Sequence, residues 1–155
     1  DRTSTLNFRY EGFKARYKST KNFSLLYLKT PEIRNRDPES IKADRDLIKK
    51  HLLKYPEIDC VFAAEFYVAT LVKEVIDELG KQIPEEIGVV CFDSDHSEIQ
   101  KPFFTHIQQK QFEIGRLALS KMAAINEGND NYSYASHIVG DIVLGKSIKK
   151  GNLKQ

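Results

Sequence analysis

The stretch Ile83-Pro84-Glu85-Glu86-Ile87-Gly88-Val89-Val90-Cys91-Phe92-Asp93 decides the fold. A proline-led acidic turn feeds a short, β-rich apolar run, and the run ends abruptly on a carboxylate. Continuous rather than alternating hydrophobicity marks a parallel strand buried on both faces. In open α/β sheets, ligands sit outside the carboxyl ends of the strands. Asp93 therefore stands where a small polar molecule would be held, with a carboxylate able to accept hydrogen bonds from hydroxyls or base nitrogens. The same position equally suits a turn or helix-capping Asp, and position alone does not separate the two readings.

On either side of this strand, helical and strand patterns alternate. Leu6 to about Lys18 reads as a helix with Leu6, Phe13 and Tyr17 on one face, and Phe23 to Leu28 reads as a short strand. Asp37-Pro38 is a cap followed by proline at the first helical position. It opens a helix to about Tyr55 whose apolar stripe is Ile41, Ile48, Leu52 and Tyr55. Cys60 to Ala64 is the next strand. Phe66 to Leu79 is a helix with Val68, Val72, Val75, Ile76 and Leu79 inward, closed by Gly80. After the Gly88–Phe92 strand come a polar loop from Ser94 to Lys101 and a strand over Phe103–Ile107. A long helix follows over Lys110–Asn126, with Phe112, Gly115, Leu119 and Met122 on one face. Tyr134 to Leu144 has strand character, and the last residues read as a basic, solvated tail. The pattern predicts an α/β fold: a mostly parallel sheet flanked by helices on both faces. The first helix lacks the preceding strand that every later crossover helix has, so an upstream continuation of the protein is expected.

The 155 residues suit one domain, and a net charge of +2 is too small to argue for a nucleic-acid surface within this segment. The two cysteines, Cys60 and Cys91, fall inside expected buried strands, where free cysteine acts as a small hydrophobe. Four scattered histidines and the lack of Cys-x-x-Cys spacing give no metal centre, and no cofactor is expected. No signal peptide or membrane-length apolar stretch is visible, and a reducing, cytoplasmic setting without membrane attachment is expected.

Three strand ends point to one edge of the sheet. They deliver Lys29 and Thr30, Glu65 and Phe66, and Asp93 and Ser94, while the first helix brings Arg9 to the same edge. An Arg fork, two carboxylates and an aromatic ring can together hold a polyhydroxylated ring. Arg9 paired with Asp93 or Glu65 as a structural ion pair is the competing reading. Asp93, Asp95 and His96 have no nucleophile beside them in a catalytic signature, and no glycine-rich phosphate loop exists. A non-catalytic binding domain is the simpler expectation, so the chain is not expected to be an enzyme.

With the elements in this order, the chain resembles the effector-binding core of the lac/gal repressor family, which has the periplasmic-binding-protein type I fold. The resemblance runs from about residue 3 to 148. Arg9-Tyr10-Glu11-Gly12-Phe13 is similar to that family's R-x-x-G-F segment. Asp59 to Glu65 resembles its strand leading into an A-x-N-D site. Leu79-Gly80 through Asp93 resembles the L-G-x-x-I-P-x-D-I-x-V-V-G-F-D block, the most specific match. Phe104-Thr105-His106-Ile107, then Gln109 and Ile114-Gly115, resemble the L-T-T-I-x-Q…I-G segment.

The resemblance implies effector contacts at Arg9, Glu65 and Asp93, with Thr5, Phe66 and Gln109 as secondary candidates. It departs from the pattern where Glu65-Phe66 replaces an Asn-Asp pair and Cys91 replaces a glycine. Residues 1–155 would be the C-terminal portion of a two-lobed, sugar-sensing core: one lobe plus the segments that return from residue 109 toward the other. The first lobe and a DNA-binding headpiece would lie upstream, and a homodimer would bind operator DNA through that headpiece. Regulators with a GntR-type headpiece carry the same core. A periplasmic sugar-binding protein of a transporter is the first alternative, and a small α/β enzyme using Asp93 or Glu65 is the second.

Overall fold

The computed structural model describes residues 4–16, 23–28, 37–94, 101–128 and 136–149. Helix α1 spans Ser4–Arg16, α2 Pro38–Lys54, α3 Phe66–Glu78 and α4 Gln111–Asn126. Strands β1 (Cys60–Ala63), β2 (Gly88–Phe92), β3 (Thr105–Gln108) and β4 (Asp141–Val143) form one sheet in the order β1-β2-β3-β4. β1, β2 and β3 run parallel, with Val61 opposite Val89 and Cys91 opposite His106. β4 is antiparallel to β3, with Ile142 opposite Ile107. The α/β, mostly parallel architecture is the one expected from the sequence.

The uninterrupted apolar run of β2 reflects cover on both of its faces. Successive side chains of a strand point to opposite sides. Val89 and Cys91 join Ala63 of β1 in a core filled by Ala69, Leu71, Val72, Val75 and Ile76 of α3 and by Ile48 and Leu52 of α2. Each such aliphatic side chain contributes about 1.5–3 kcal/mol relative to exposure, before the entropy of ordering is subtracted. On the opposite face, Phe13 of α1 stacks on Phe62 at 5.2 Å, and Phe62 meets Phe92 edge-on at 5.8 Å.

The local signals behave as their chemistry requires. Asp37 caps α2, its Oδ1 accepting from the Ser40 amide at 2.8 Å, and Pro38 occupies the first turn, where no amide donor is needed. The Ser40 amide, then the Ser40 hydroxyl, lower the Asp37 carboxyl below the usual range. Gly80 closes α3 at φ 70°, a backbone region glycine enters without strain. Arg45 and Lys49 of α2 reach Glu78 of α3, and the Lys49 hydrogen bond holds the Glu78 carboxyl low.

Several expectations need correction. Phe23–Leu28 joins no strand ladder. Phe23 packs on Phe13 at 5.4 Å, and Leu26 and Leu28 pack on the core, so the segment is held by its side chains without sheet pairing. A short apolar run has the same signature whether or not its backbone finds a ladder partner. Cys60 is exposed, because it starts β1 at the sheet's edge, whereas Cys91 is buried. The ladder of the Tyr134–Leu144 segment narrows to Asp141–Val143, and residues 134–135 lie outside the described ones. So do Tyr17 and Lys18 of the expected first helix, Lys29 to Arg36, and most of the Ser94–Lys101 loop.

The basic tail does not begin where its charges suggest. Ser147 is fully buried, its hydroxyl bonding the Val89 carbonyl and accepting from the Thr105 amide at 2.9 Å. The Ser147 carbonyl receives the Val89 amide at 2.8 Å, and the Phe103 carbonyl receives the amides of Lys146 and Ser147. One serine thus ties the last described segment to both β2 and β3. By contrast α4 has no buried residue: Phe112, Leu119, Met122 and Ile125 are 83%, 68%, 67% and 64% exposed.

Candidate functional site

The carboxyl ends of β1 and β2 lie side by side because Ala63 pairs with Cys91. The first residues beyond those strands are Ala64-Glu65 and Asp93. α1 carries Arg9 between them. Its guanidinium donates to the Ala64 carbonyl at 2.7 Å, lies 3.8 Å from Asp93 Oδ2, and covers the Phe92 ring at 4.4 Å. Asp93 has φ 60°, an uncommon backbone region that Asp tolerates better than most residues.

Gln109 completes the cluster from the third strand. Its side-chain amide donates to Asp93 Oδ2 at 2.6 Å, and its backbone amide lies 3.4 Å from Oδ1. The Asp93 amide in turn donates to the Ile107 carbonyl at 2.9 Å. Three of the expected site residues, Arg9, Asp93 and Gln109, therefore meet in one place. The ion pair between Arg9 and Asp93 exists, and the excess donors of the guanidinium leave it able to bind something more.

The other expected residues are placed differently. Glu65 holds the N-cap position of α3 by its backbone, without a side-chain cap bond, and makes no ion pair among the described residues. Phe66 turns its ring edge-on to Phe104 at 5.8 Å and packs against the core. The side chain of Thr5 lies outside the described groups, as do Lys29 and Thr30. The aromatic ring at the Arg9–Asp93 cluster is thus Phe92, which strand alternation from Val90 and Phe62 places on the α1 face. Sequence reasoning also passed over Lys110, whose ammonium lies 3.4 Å from Asp141 across the start of β4.

Beside the cluster opens a cleft of about 480 Å³, a size that suits a small organic molecule. Phe8, Phe92, Ile107, Ile114 and Ile138 supply its apolar surface, and Arg9, Gln109 and Lys110 its polar side chains. Asp93 hydrogen-bonds Gln109 and forms a 3.8 Å ion pair with Arg9. An aromatic and aliphatic wall with a few convergent polar groups is the make-up of a binding cleft. Among the described residues no group of His, Cys, Asp or Glu side chains could hold a metal ion. No described helix is long and apolar enough to cross a membrane.

A parallel α/β lobe with polar side chains gathered at its strand ends defines a ligand-binding class of protein. Residues 2–148 match the model of the periplasmic binding protein-like domain, and the chain belongs to that family. It is 25% identical over 144 residues to the ribose operon repressor of Halalkalibacterium halodurans, a match covering 92% of this chain and 41% of the repressor. It is 24% identical over 118 residues to the HTH-type transcriptional regulator KdgR of Bacillus subtilis, covering 76% of this chain and 34% of the regulator. The crystal structure of a LacI family transcriptional regulator from Arthrobacter sp. FB24 in complex with lactose superposes with a TM-score of 0.61 at 22% identity. That superposition covers 70% of this chain and 41% of the other. The resemblance to a lac/gal repressor core holds, and the chain spans less than half the length of these relatives.

Proposed function

We propose that this chain is the C-terminal part of the effector-sensing core of a bacterial, cytoplasmic, DNA-binding transcription regulator. In this reading the effector is a sugar or related small molecule, held by Arg9, Asp93 and Gln109, with Glu65 at the same sheet edge, Phe66 shaping that edge from the core side and Thr5 as a further candidate contact. No catalytic step is assigned. The observation that carries the reading is the meeting of Arg9, Asp93 and Gln109 at adjoining strand ends, beside a cleft with an apolar wall. The names of the relatives, both transcription regulators, favour it over a transporter's binding protein or a small enzyme.

The rest of the protein follows from what is left uncovered. Phe112, Leu119, Met122 and Ile125 of α4 need an apolar partner. An upstream first lobe is that partner, and a helix-turn-helix headpiece before it would read operator DNA as a homodimer. Effector binding would act by favouring one of two lobe arrangements, which requires different affinity for the two. A thermal-shift screen of the full-length protein against sugars, sugar phosphates and purines tests the reading. A ligand of the folded state raises Tm, and the same ligand should alter operator binding. A hit that leaves operator affinity unchanged would overturn the regulatory part.

A further inference from the structure

We infer that the effector is acidic, a sugar carrying a carboxylate or phosphate, and that Lys110 is the residue that selects it. The inference rests on the sensing function proposed above. Its starting point is a charge imbalance. Among the described residues, the side chains lining the cleft include two cations, Arg9 and Lys110, and no carboxylate.

The carboxylates nearby do not use those cations fully. Asp93 has both oxygens engaged by Gln109, and the nearest Arg9 nitrogen stays 3.8 Å away, outside hydrogen-bond range. Lys110 faces Asp141 at 3.4 Å, but the Asp141 side chain is 68% exposed. Water screens such a pair, so an incoming anion displaces it at little cost. One face of the Phe92 ring is already covered by the Arg9 guanidinium, which leaves less of the ring to stack a neutral sugar. Lys110 is the N-cap of α4 and makes no side-chain cap bond, so the positive end of the helix, with Glu113 in its first turn, lies at the same wall.

Isothermal titration of the full-length protein tests this with matched probes: hexoses and pentoses against their uronic acids, aldonic acids and terminal phosphates. An acidic member should bind about tenfold or more tightly than its neutral parent, the size of one charge-assisted bond. Comparing the carboxylate and phosphate arms tells which anion is meant. Lys110→Gln should erase the preference, and Asp141→Asn, which removes the internal competitor, should strengthen acidic binding. A lysine that merely braced the fold would lose affinity in both variants. Equal or tighter binding of the neutral parents overturns the inference and leaves sugar sensing intact. No binding by any acidic or neutral probe overturns both.

Discussion

The Gln109 side-chain amide donates to Asp93 across 2.6 Å, joining residues 16 apart at the ends of neighbouring parallel strands. Gln109 is also the residue at which the chain leaves β3 for α4. A ligand that took Asp93 for itself would compete with this bond, which would couple occupancy of the proposed site to the geometry of the departing chain.

Asp93→Ala in the full-length protein should weaken effector binding by about 1–3 kcal/mol, the usual cost of losing a buried polar partner. Alanine is strained at φ 60°, so Asp93→Asn is the companion variant. Titration calorimetry on both, with circular dichroism to establish folding, reads the result. Wild-type affinity in both folded variants would remove Asp93 from the site.

If an upstream lobe supplies one wall of the cleft, as proposed, the isolated 155-residue chain should bind effector poorly. Its exposed α4 face should bind a hydrophobic dye or drive self-association. Micromolar effector affinity by this chain alone would contradict the two-lobed site.

Gly145→Ala should destabilise the chain by about 1–3 kcal/mol or more, since the new methyl has no room. It would lie 2.5 Å from the Phe103 carbonyl oxygen and 2.6 Å from that of Phe104. Gly12→Ala is the contrasting variant: nothing lies within 4 Å of its added methyl, and alanine favours a helix by up to about 1 kcal/mol. Urea unfolding of both should move the midpoints in opposite directions.

Stability should fall as pH drops through the His51 range. Desolvation, and then Lys54, hold the His51 imidazole below its usual pKa of 6.5. A group depressed in the folded state contributes fully above its unfolded value and loses that contribution as pH falls through the folded one. The neutral ring can accept from Ser24 Oγ at 3.0 Å. His51→Gln should flatten the stability profile below about pH 6.5, measured by denaturant midpoints. An unchanged slope would assign the effect to other groups.

Much of this fold was legible because its signals are local. Asp37-Pro38 and Gly80 act within a turn of their own positions, and the β2 run is buried on its core face and half-buried on the other, as its composition suggests. The Phe23–Leu28 segment misled because apolarity reports burial, not whether a backbone meets a ladder. Arg9, Asp93 and Gln109 could be placed together because strand ends in a parallel sheet share one edge. Lys110 escaped because its significance lies in Asp141, 31 positions later and on an antiparallel strand no pattern pairs with β3. Phe66 drew notice as an aromatic at a strand end, yet its ring is claimed by Phe104, a tertiary contact that residue type does not announce.

The Ser147 tie has a consequence for synthesis. Its hydroxyl reaches the Val89 carbonyl 58 residues back and the Thr105 amide 42 residues back. Contacts this distant must await the whole intervening chain, and loop closure makes them slow to form. On the ribosome, β2 and β3 emerge long before the serine that fastens them. The nascent lobe therefore spends most of its translation with that end of the sheet open. Truncation a few residues short of Ser147 should yield a product prone to capture by chaperones or to aggregation.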